Sequence, residues 1–552
     1  MRSAFKLELP IGGQYSVDDQ SQTYVVRNDS SETAFAVGEI RATLSKRSGA
    51  LKVDVPFTTA DQLYYSRDSG KLRISNDLRA LYNNKYEADP RGFYSLLQFG
   101  ATVPPMTLWK EIGEFIPGRR VTINADGQSF FEQDPAITWP ATKSLDHSLE
   151  FQSQVQILTD LIDQILVEAC PNKDPIILFS GGVDSGVIAG RAAAMGWKDA
   201  TLVNYSFGGN DDESTLAEKM AKHLGLGFVR TSDQDHDSLE VLGDIAEIFL
   251  HPFGDPSSSP TYALARAVID RFSPSRVILD GTGADGAFGL FSKVLFYKNL
   301  NRIPQVIRQS VGYIYGAAQY WTTVSSVERI ARILRRSSQL PMYLAGIARN
   351  PLANIAYHVR PDIRREVLEL TNAWVNSTVI SRNIEAQLPA TDLALNCSRV
   401  LAQKTKSVFN AYERKVVYPF LDSRMVGLAL QRARYWPGRD EPKKVLKAIL
   451  ASHVPSDMAY RPKSAFIGPY RTIFSRPEFL RVFDRLLAHK TALTEFVDLS
   501  VLKKLRDRVQ SQTPLPDQTY WFIWTVIFAH CWLEQLERRS SLEGNTLRYP
   551  HK

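Results

Sequence analysis

The sequence predicts a mixed α/β chain in two parts: a β-rich first part, then a doubly wound parallel sheet that ends in helices. Three observations predict it. Residues 1–140 carry short polar–apolar alternations bounded by Asn, Asp and Gly, as half-buried strands do. From Phe151 onward, short apolar runs alternate with segments of helical spacing, which implies parallel strands joined by crossover helices. Beyond about residue 290 the spacing is mainly helical. At 552 residues the chain exceeds what one hydrophobic core supports, so domains over 1–140 and 151–540 are expected.

The elements follow in order. Met1–Glu8 alternates like a strand and lacks the apolar stretch of a signal peptide. Gln22–Arg27 and Leu72–Ser75 read as strands, and residues 141–150 as a polar connection. A helix is expected over 151–170, a strand over Pro175–Phe179 and a helix over Gly186–Met195. Next come strand Ala200–Ser206, helix Asp211–Leu224, strand Phe228–Arg230, helices near 238–250 and 260–271, and strand Arg276–Asp280. No run of about 18 apolar residues occurs, so no membrane span is expected. Cys170, Cys397 and Cys531 are distant and odd in number, which fits reduced thiols of a cytoplasmic protein. The histidines show no zinc-ligand spacing. The net charge of +7 is modest. Arg329–Arg336 is a basic stretch with helical spacing that could face nucleic acid or acidic lipid. A solvated helix face is the plainer reading, and nothing resembles a nucleic-acid module.

The most informative segment is Ser180-Gly181-Gly182-Val183-Asp184-Ser185, between the strand at Pro175–Phe179 and the helix after it. A strand, a glycine turn and a helix N-terminus make an anion site, because backbone N–H groups and the helix dipole face outward together. Gly181 and Gly182 let phosphate oxygens approach the backbone, and the Ser180 and Ser185 hydroxyls add donors. Asp184 would repel phosphate unless a cation lay between them, which predicts Mg²⁺. The closing Gly-Lys-Ser/Thr of kinase-type phosphate loops is missing. The pattern SGGxDS resembles the PP-loop of enzymes that split ATP into AMP and pyrophosphate; a plain strand-to-helix turn is the alternative. A second glycine turn, Asp280-Gly281-Thr282-Gly283-Ala284-Asp285-Gly286, also ends a strand and is expected beside the first. Asp184 and Asp285 together can hold Mg²⁺.

The order of these features resembles the asparagine synthetase family. That family has an Asp-Glu pair opening a helix, here Asp212-Glu213, then a segment like Asp255-Pro-Ser-Ser-Ser-Pro260. An SGxGxDE turn follows, here Asp280–Gly286, then PFLD, here Pro419–Asp422, and Arg-x-Lys, here Arg461-Pro462-Lys463. Ser75–Tyr82 and Pro105–Trp109 through Ile116–Gly118 match stretches of the family's N-terminal domain. The resemblance implies an N-terminal domain of the Ntn-hydrolase (glutaminase) kind and a C-terminal ATP-pyrophosphatase synthetase domain. Family glutaminases use a cysteine as second residue, whereas Arg2 stands here and no cysteine precedes Cys170. A degenerate, glutaminase-deficient first domain is therefore expected, as in β-lactam, carbapenam and lasso-peptide macrolactam synthetases. Thr282 stands where asparagine synthetases have Glu and β-lactam synthetases Tyr, and Gly286 replaces the family's Glu.

The resemblance implies an ATP-dependent ligase with ATP and Mg²⁺ as its requirements. A carboxylate attacks the α-phosphate, and an amine or ammonia displaces AMP from the acyl-adenylate. Ser180–Ser185 hold pyrophosphate, and Asp280, Gly281 and Val203–Ser206 border adenosine. Lys463 neutralises charge on the α-phosphate. Glu413, aligned with the family's SMAxGxE, is a candidate base, with an ion pair to Arg414 or Lys415 as the alternative. Amide or macrolactam synthesis without glutaminase, asparagine synthesis, and a non-enzymatic nucleotide-binding scaffold remain as readings. A small-molecule or peptide substrate is expected, and no nucleic acid.

Overall fold

The computed structural model describes residues 6–10, 32–45, 48–68, 71–124, 129–133, 150–206, 212–232, 240–316, 357–358, 360–378, 384–431, 441–461 and 473–543. The expected strand Gln22–Arg27, the basic stretch Arg329–Arg336 and most of the 141–150 connection lie outside them.

The first part contains β1 (Lys6–Pro10), β2 (Glu32–Val37), β3 (Ile40–Ser45), β4 (Leu51–Val55), β5 (Tyr64–Asp68) and β6 (Lys71–Ser75). They are followed by α1 (Leu78–Leu81), α2 (Pro90–Phe99), β7 (Ile112–Glu114), β8 (Arg119–Ile123) and β9 (Ser129–Gln133). The strands form two antiparallel sheets, ordered β1-β6-β5-β7 and β2-β3-β4-β8-β9. Alternation explains their shared core. Ile40, Ala42 and Leu44 and then Leu51, Val53 and Val55 are buried with Ile74, Phe115 and Val121, while Arg41 and Lys52 are exposed. Asp89 caps α2 through Arg91 N–H, with Pro90 at the first helical position. Gly100 closes α2 in the left-handed region, at φ 80°.

The second part opens with α3 (Phe151–Ala169), β10 (Ile176–Leu178), α4 (Val183–Ala194), β11 (Thr201–Ser206), α5 (Asp212–Leu224) and β12 (Gly227–Ser232). Then come α6 (Glu240–Ile248), α7 (Ser258–Arg271), β13 (Ile278–Leu279), α8 (Ala284–Phe288), α9 (Phe291–Asn301) and α10 (Gln305–Gly316). After α11 (Pro361–Thr378) and α12 (Ile384–Thr391), a π-helix spans Asp392–Ala402 and leads into α13 (Gln403–Asn410) and β14 (Val416–Val417). The chain ends through α14 (Ser423–Gln431), α15 (Lys444–Ala451), α16 (Ser456–Ala459), α17 (Pro477–Ala488), α18 (Leu499–Gln510) and α19 (Asp517–Glu543).

The five strands β12-β11-β10-β13-β14 pair in parallel throughout. From β10 the chain steps outward to β11 and β12, then returns to β13 on the other side of β10. The strand order thus reverses between β10 and β13, and such a reversal opens a crevice beyond the carboxyl ends. α4 packs against α3 and α15, whereas α7 packs against α6 and α13, which covers the sheet with helices twice over.

The expected elements recur with shifted ends. α4 begins at Val183 rather than Gly186, which brings Asp184 and Ser185 into its first turn. An acidic residue there is favoured by the helix dipole, a signal that apolar spacing does not carry. β13 keeps only two residues of the expected five because the chain turns at Asp280. Among the described residues no helix is long and apolar enough to cross a membrane. All three cysteines are buried free thiols, and burial pushes Cys170 up to about 12.

The large core crosses from one part to the other. Leu96, Leu97 and Trp109 of the first part are buried with Ile176, Leu202 and Trp532 of the second. The contact of Gly100 with Gly254 is backbone on backbone. Gly254 N–H donates to Gly100 O at 2.8 Å, and a Cβ on Gly100 would lie 2.9 Å from Gly254 O.

Candidate active site

The site lies at the reversal. β10 delivers the chain to Ser180, and Gly181 turns it at φ +69°. Only glycine serves there, since a Cβ on Gly181 would also approach Ala217 of α5 to 3.0 Å. Ser180 and Ser185 close the loop: Ser180 N–H donates to Ser185 Oγ at 3.3 Å, and Gly182 N–H to Ser180 Oγ at 3.2 Å. Gly182 precedes α4 with no side chain capping the first turn, so the dipole end faces the crevice. Behind the loop, buried Asn204 of β11 donates to Phe179 O at 2.8 Å and accepts from Ser214 Oγ at 2.5 Å, which fixes the strand end. Arg461 Nη2 donates to Gly181 O at 2.7 Å.

The second turn lies directly against the first. A Cβ on Gly281 would sit 3.0 Å from Ser185 N and 3.1 Å from Asp184 Cβ. Gly283, at φ +110°, leaves no room for a side chain against Leu421 and Phe420 of the Pro419–Asp422 segment. Thr282 N–H and Oγ1 both donate to Asp280 Oδ1, at 2.9 and 2.8 Å. The Thr282 hydroxyl is thus engaged within its own turn, and Asp280 shapes that turn. Asp285 stands in the first turn of α8.

Lys443, which no sequence motif singled out, joins the two turns. Its Nζ lies 2.6 Å from Asp184 Oδ1 and 2.7 Å from Asp285 Oδ1. Its backbone is left-handed at φ 59°, just before α15, and its N–H donates to Phe288 O at 3.1 Å. Burial opposes the lysine charge, yet Asp184 and Asp285 together hold its pKa above the ordinary lysine range. Two carboxylates converging on one cation are the hard-oxygen donor pair that a divalent ion shared with phosphates requires. Among the described residues no group of three or more metal-ligating side chains occurs, so the two aspartates would need phosphate or water oxygens to complete such a site.

Two other expected residues are Glu413 and Lys463. Glu413 does not join the cluster. It is exposed, at φ +59°, in the turn before β14, at the amino end of the sheet and opposite the loop. The ion-pair alternative through Arg414 does not hold either, since that guanidinium serves the carbonyls of Ile269, Phe272 and Ser273. Lys463 lies outside the described residues, two positions beyond Arg461. The Asp255–Pro260 segment opens α7 at the carboxyl end of the sheet. Asp255 is fully buried and accepts from Ser257 N–H and Oγ, and Lys404 Nζ reaches Ser257 Oγ at 2.7 Å.

A family model described as asparagine synthase matches residues 174–534, more than half of the chain. No curated protein matches the chain.

Proposed function

The chain belongs to the asparagine synthase family, and from that premise we propose that it adenylates a substrate carboxylate and passes the acyl group to an amine without hydrolysing glutamine. Membership makes it an ATP-dependent carbon–nitrogen ligase. The observation that carries the reading is the convergence of Asp184 and Asp285 on one cation beside an uncapped helix N-terminus.

Ser180–Ser185 would cradle the departing pyrophosphate through backbone N–H groups and the helix dipole. Asp184 and Asp285 would hold Mg²⁺, whose charge screens the phosphates when it is bound. Lys443 offsets part of the carboxylate charge, and its ammonium is placed to follow the negative charge onto the phosphates. Arg461 donates to Gly181 O, and the family resemblance of Arg461-Pro462-Lys463 supports the reading of Lys463 as the residue that neutralises charge on the α-phosphate. Lys463→Ala should cut turnover more than it weakens ATP binding, by about 3–4 kcal/mol in the transition state.

No cysteine occurs among residues 1–169, so that stretch has no thiolate to take the acyl group of glutamine. The first domain then serves as a degenerate glutaminase-like partner, and nitrogen arrives as ammonia or as an amine of the substrate. The Thr282 and Gly286 changes favour an acceptor other than the aspartate-derived one. The test is ATP–pyrophosphate exchange over candidate acids and peptides. AMP and pyrophosphate are expected as products; stoichiometric ADP and phosphate would reject the reading. Steady glutamate release from glutamine would reject the part that concerns nitrogen.

A further inference from the structure

Asp392–Ala402 winds as a π-helix of eleven residues, and only Leu401 of them is partly exposed. π-helical turns are rare, short and concentrated at functional sites, so a buried run of this length calls for a reason. Its two ends supply one. At one end Arg399 meets Glu114, the last residue of β7 in the first part. The two are 2% and 1% exposed, and Nη2 lies 2.6 Å from Oε2, with a second bond from Nη1 to Oε1. Arg399 Nη2 also donates to Thr102 O at 3.2 Å. At the other end Asp392 abuts α8. A Cβ on Gly286 would lie 2.8 Å from Asp392 Oδ2, one residue after Asp285. That carboxylate is itself held by Asn396 Nδ2 at 3.1 Å and Cys397 Sγ at 3.2 Å, and Ser398 Oγ ties the helix to Leu393 O at 2.8 Å.

We propose that this π-helix is a strut by which the first part positions Asp285, with Glu114–Arg399 anchoring one end and Asp392 bearing on Gly286 at the other. The inference rests on the reading of Asp184 and Asp285 as ligands of a metal–nucleotide complex. Glu114, Arg399 and Asp392 are positioning residues that act through α8. Close packing is what makes the strut stiff: with no Cβ at position 286, nothing compressible separates the carboxylate from the α8 backbone. A buried charge pair also resists displacement, because moving either partner leaves the other unpaired.

The test uses the full chain and two readouts. The first is amide hydrogen exchange across Ala284–Phe288 without metal. The second is Mn²⁺ binding by electron paramagnetic resonance in the presence of α,β-methylene-ATP. Glu114→Gln, Asp392→Asn and Gly286→Ala should each speed exchange in that segment and weaken Mn²⁺ binding roughly tenfold, as supporting groups around a metal do. Trp374→Phe removes a different bond between the parts, Nε1 to Pro117 O at 2.9 Å, and should change neither readout. Exchange and Mn²⁺ titrations identical to wild type in Glu114→Gln and Asp392→Asn would overturn the strut. So would equal changes in Trp374→Phe, which would show general loosening. If Glu114→Gln fails to fold, Glu114→Asp keeps the charge, shortens the reach and should give the same two shifts. Asp285→Ala separates the two hypotheses: if it leaves Mn²⁺ binding intact, the metal reading fails, and the exchange data alone decide the strut.

Discussion

Glu114 and Arg399 meet one to one in a bidentate pair sealed from water, whereas Asp184 and Asp285 converge on Lys443 at the crevice. The first cluster is neutral and closed. The second lies at the mouth of the crevice, where the Asp285 side chain is 45% exposed. The difference teaches how to sort buried ions. A sealed pair with matched geometry holds architecture in place, while a cluster open to a crevice can exchange its cation.

Four experiments break or sharpen that contrast, in falling order of effect. Asp184→Ala or Asp285→Ala should reduce ATP–pyrophosphate exchange at least a thousandfold, about 4 kcal/mol or more by the usual conversion, while the melting temperature changes little. A normal exchange rate in either variant would remove the site from the chemistry. Glu114→Ala should do the reverse. It strands the Arg399 charge and should cost about 3–5 kcal/mol of stability, read by urea denaturation; a loss below about 1 kcal/mol would show that the pair is not sealed.

Lys443→Met comes third. It leaves two facing carboxylates, so Mg²⁺ should raise the melting temperature of the variant more than that of wild type, while turnover falls about a hundredfold. Equal Mg²⁺ shifts in both proteins would mean that Lys443 and the metal do not compete. The smallest effect concerns pH. His251 lies beside the closed pair, and burial, then Arg399 and Arg79, push it down to about 3 from 6.5. Between those values the unfolded chain binds the proton and the folded chain does not. Stability should therefore fall as pH drops from 6.5, by up to about 1.4 kcal/mol per pH unit. His251→Gln should flatten that slope, and an unchanged slope would reject the assignment.

Much of this was readable from the residues. Ser180–Ser185 announces itself because its signal is local: a strand, two glycines and a helix start within a dozen positions. The second turn could be placed beside it because both end parallel strands. Lys443 could not be found that way. It lies 259 positions from Asp184 in sequence, and only the packing of α15 on α4 brings it there. Glu413 lies before β14, away from the two turns, because motif alignment fixes order, not which end of a sheet a residue occupies. The π-helix left no trace either, since its residues read as an ordinary apolar helix and its partners, Glu114 and Gly286, lie far along the chain.

The seam at Gly100 and Gly254 has a consequence for anyone who would treat the two parts as interchangeable modules. Side chains at a junction can be exchanged for others of similar volume, which is how natural and engineered fusions tolerate new neighbours. Bare backbone offers no such slack. A first part taken from another protein would have to reproduce the same left-handed turn at the same spot, and deleting it would open Gly254 N–H and Trp532, which packs on Trp109 of that part, to water. The first part is therefore the harder one to replace.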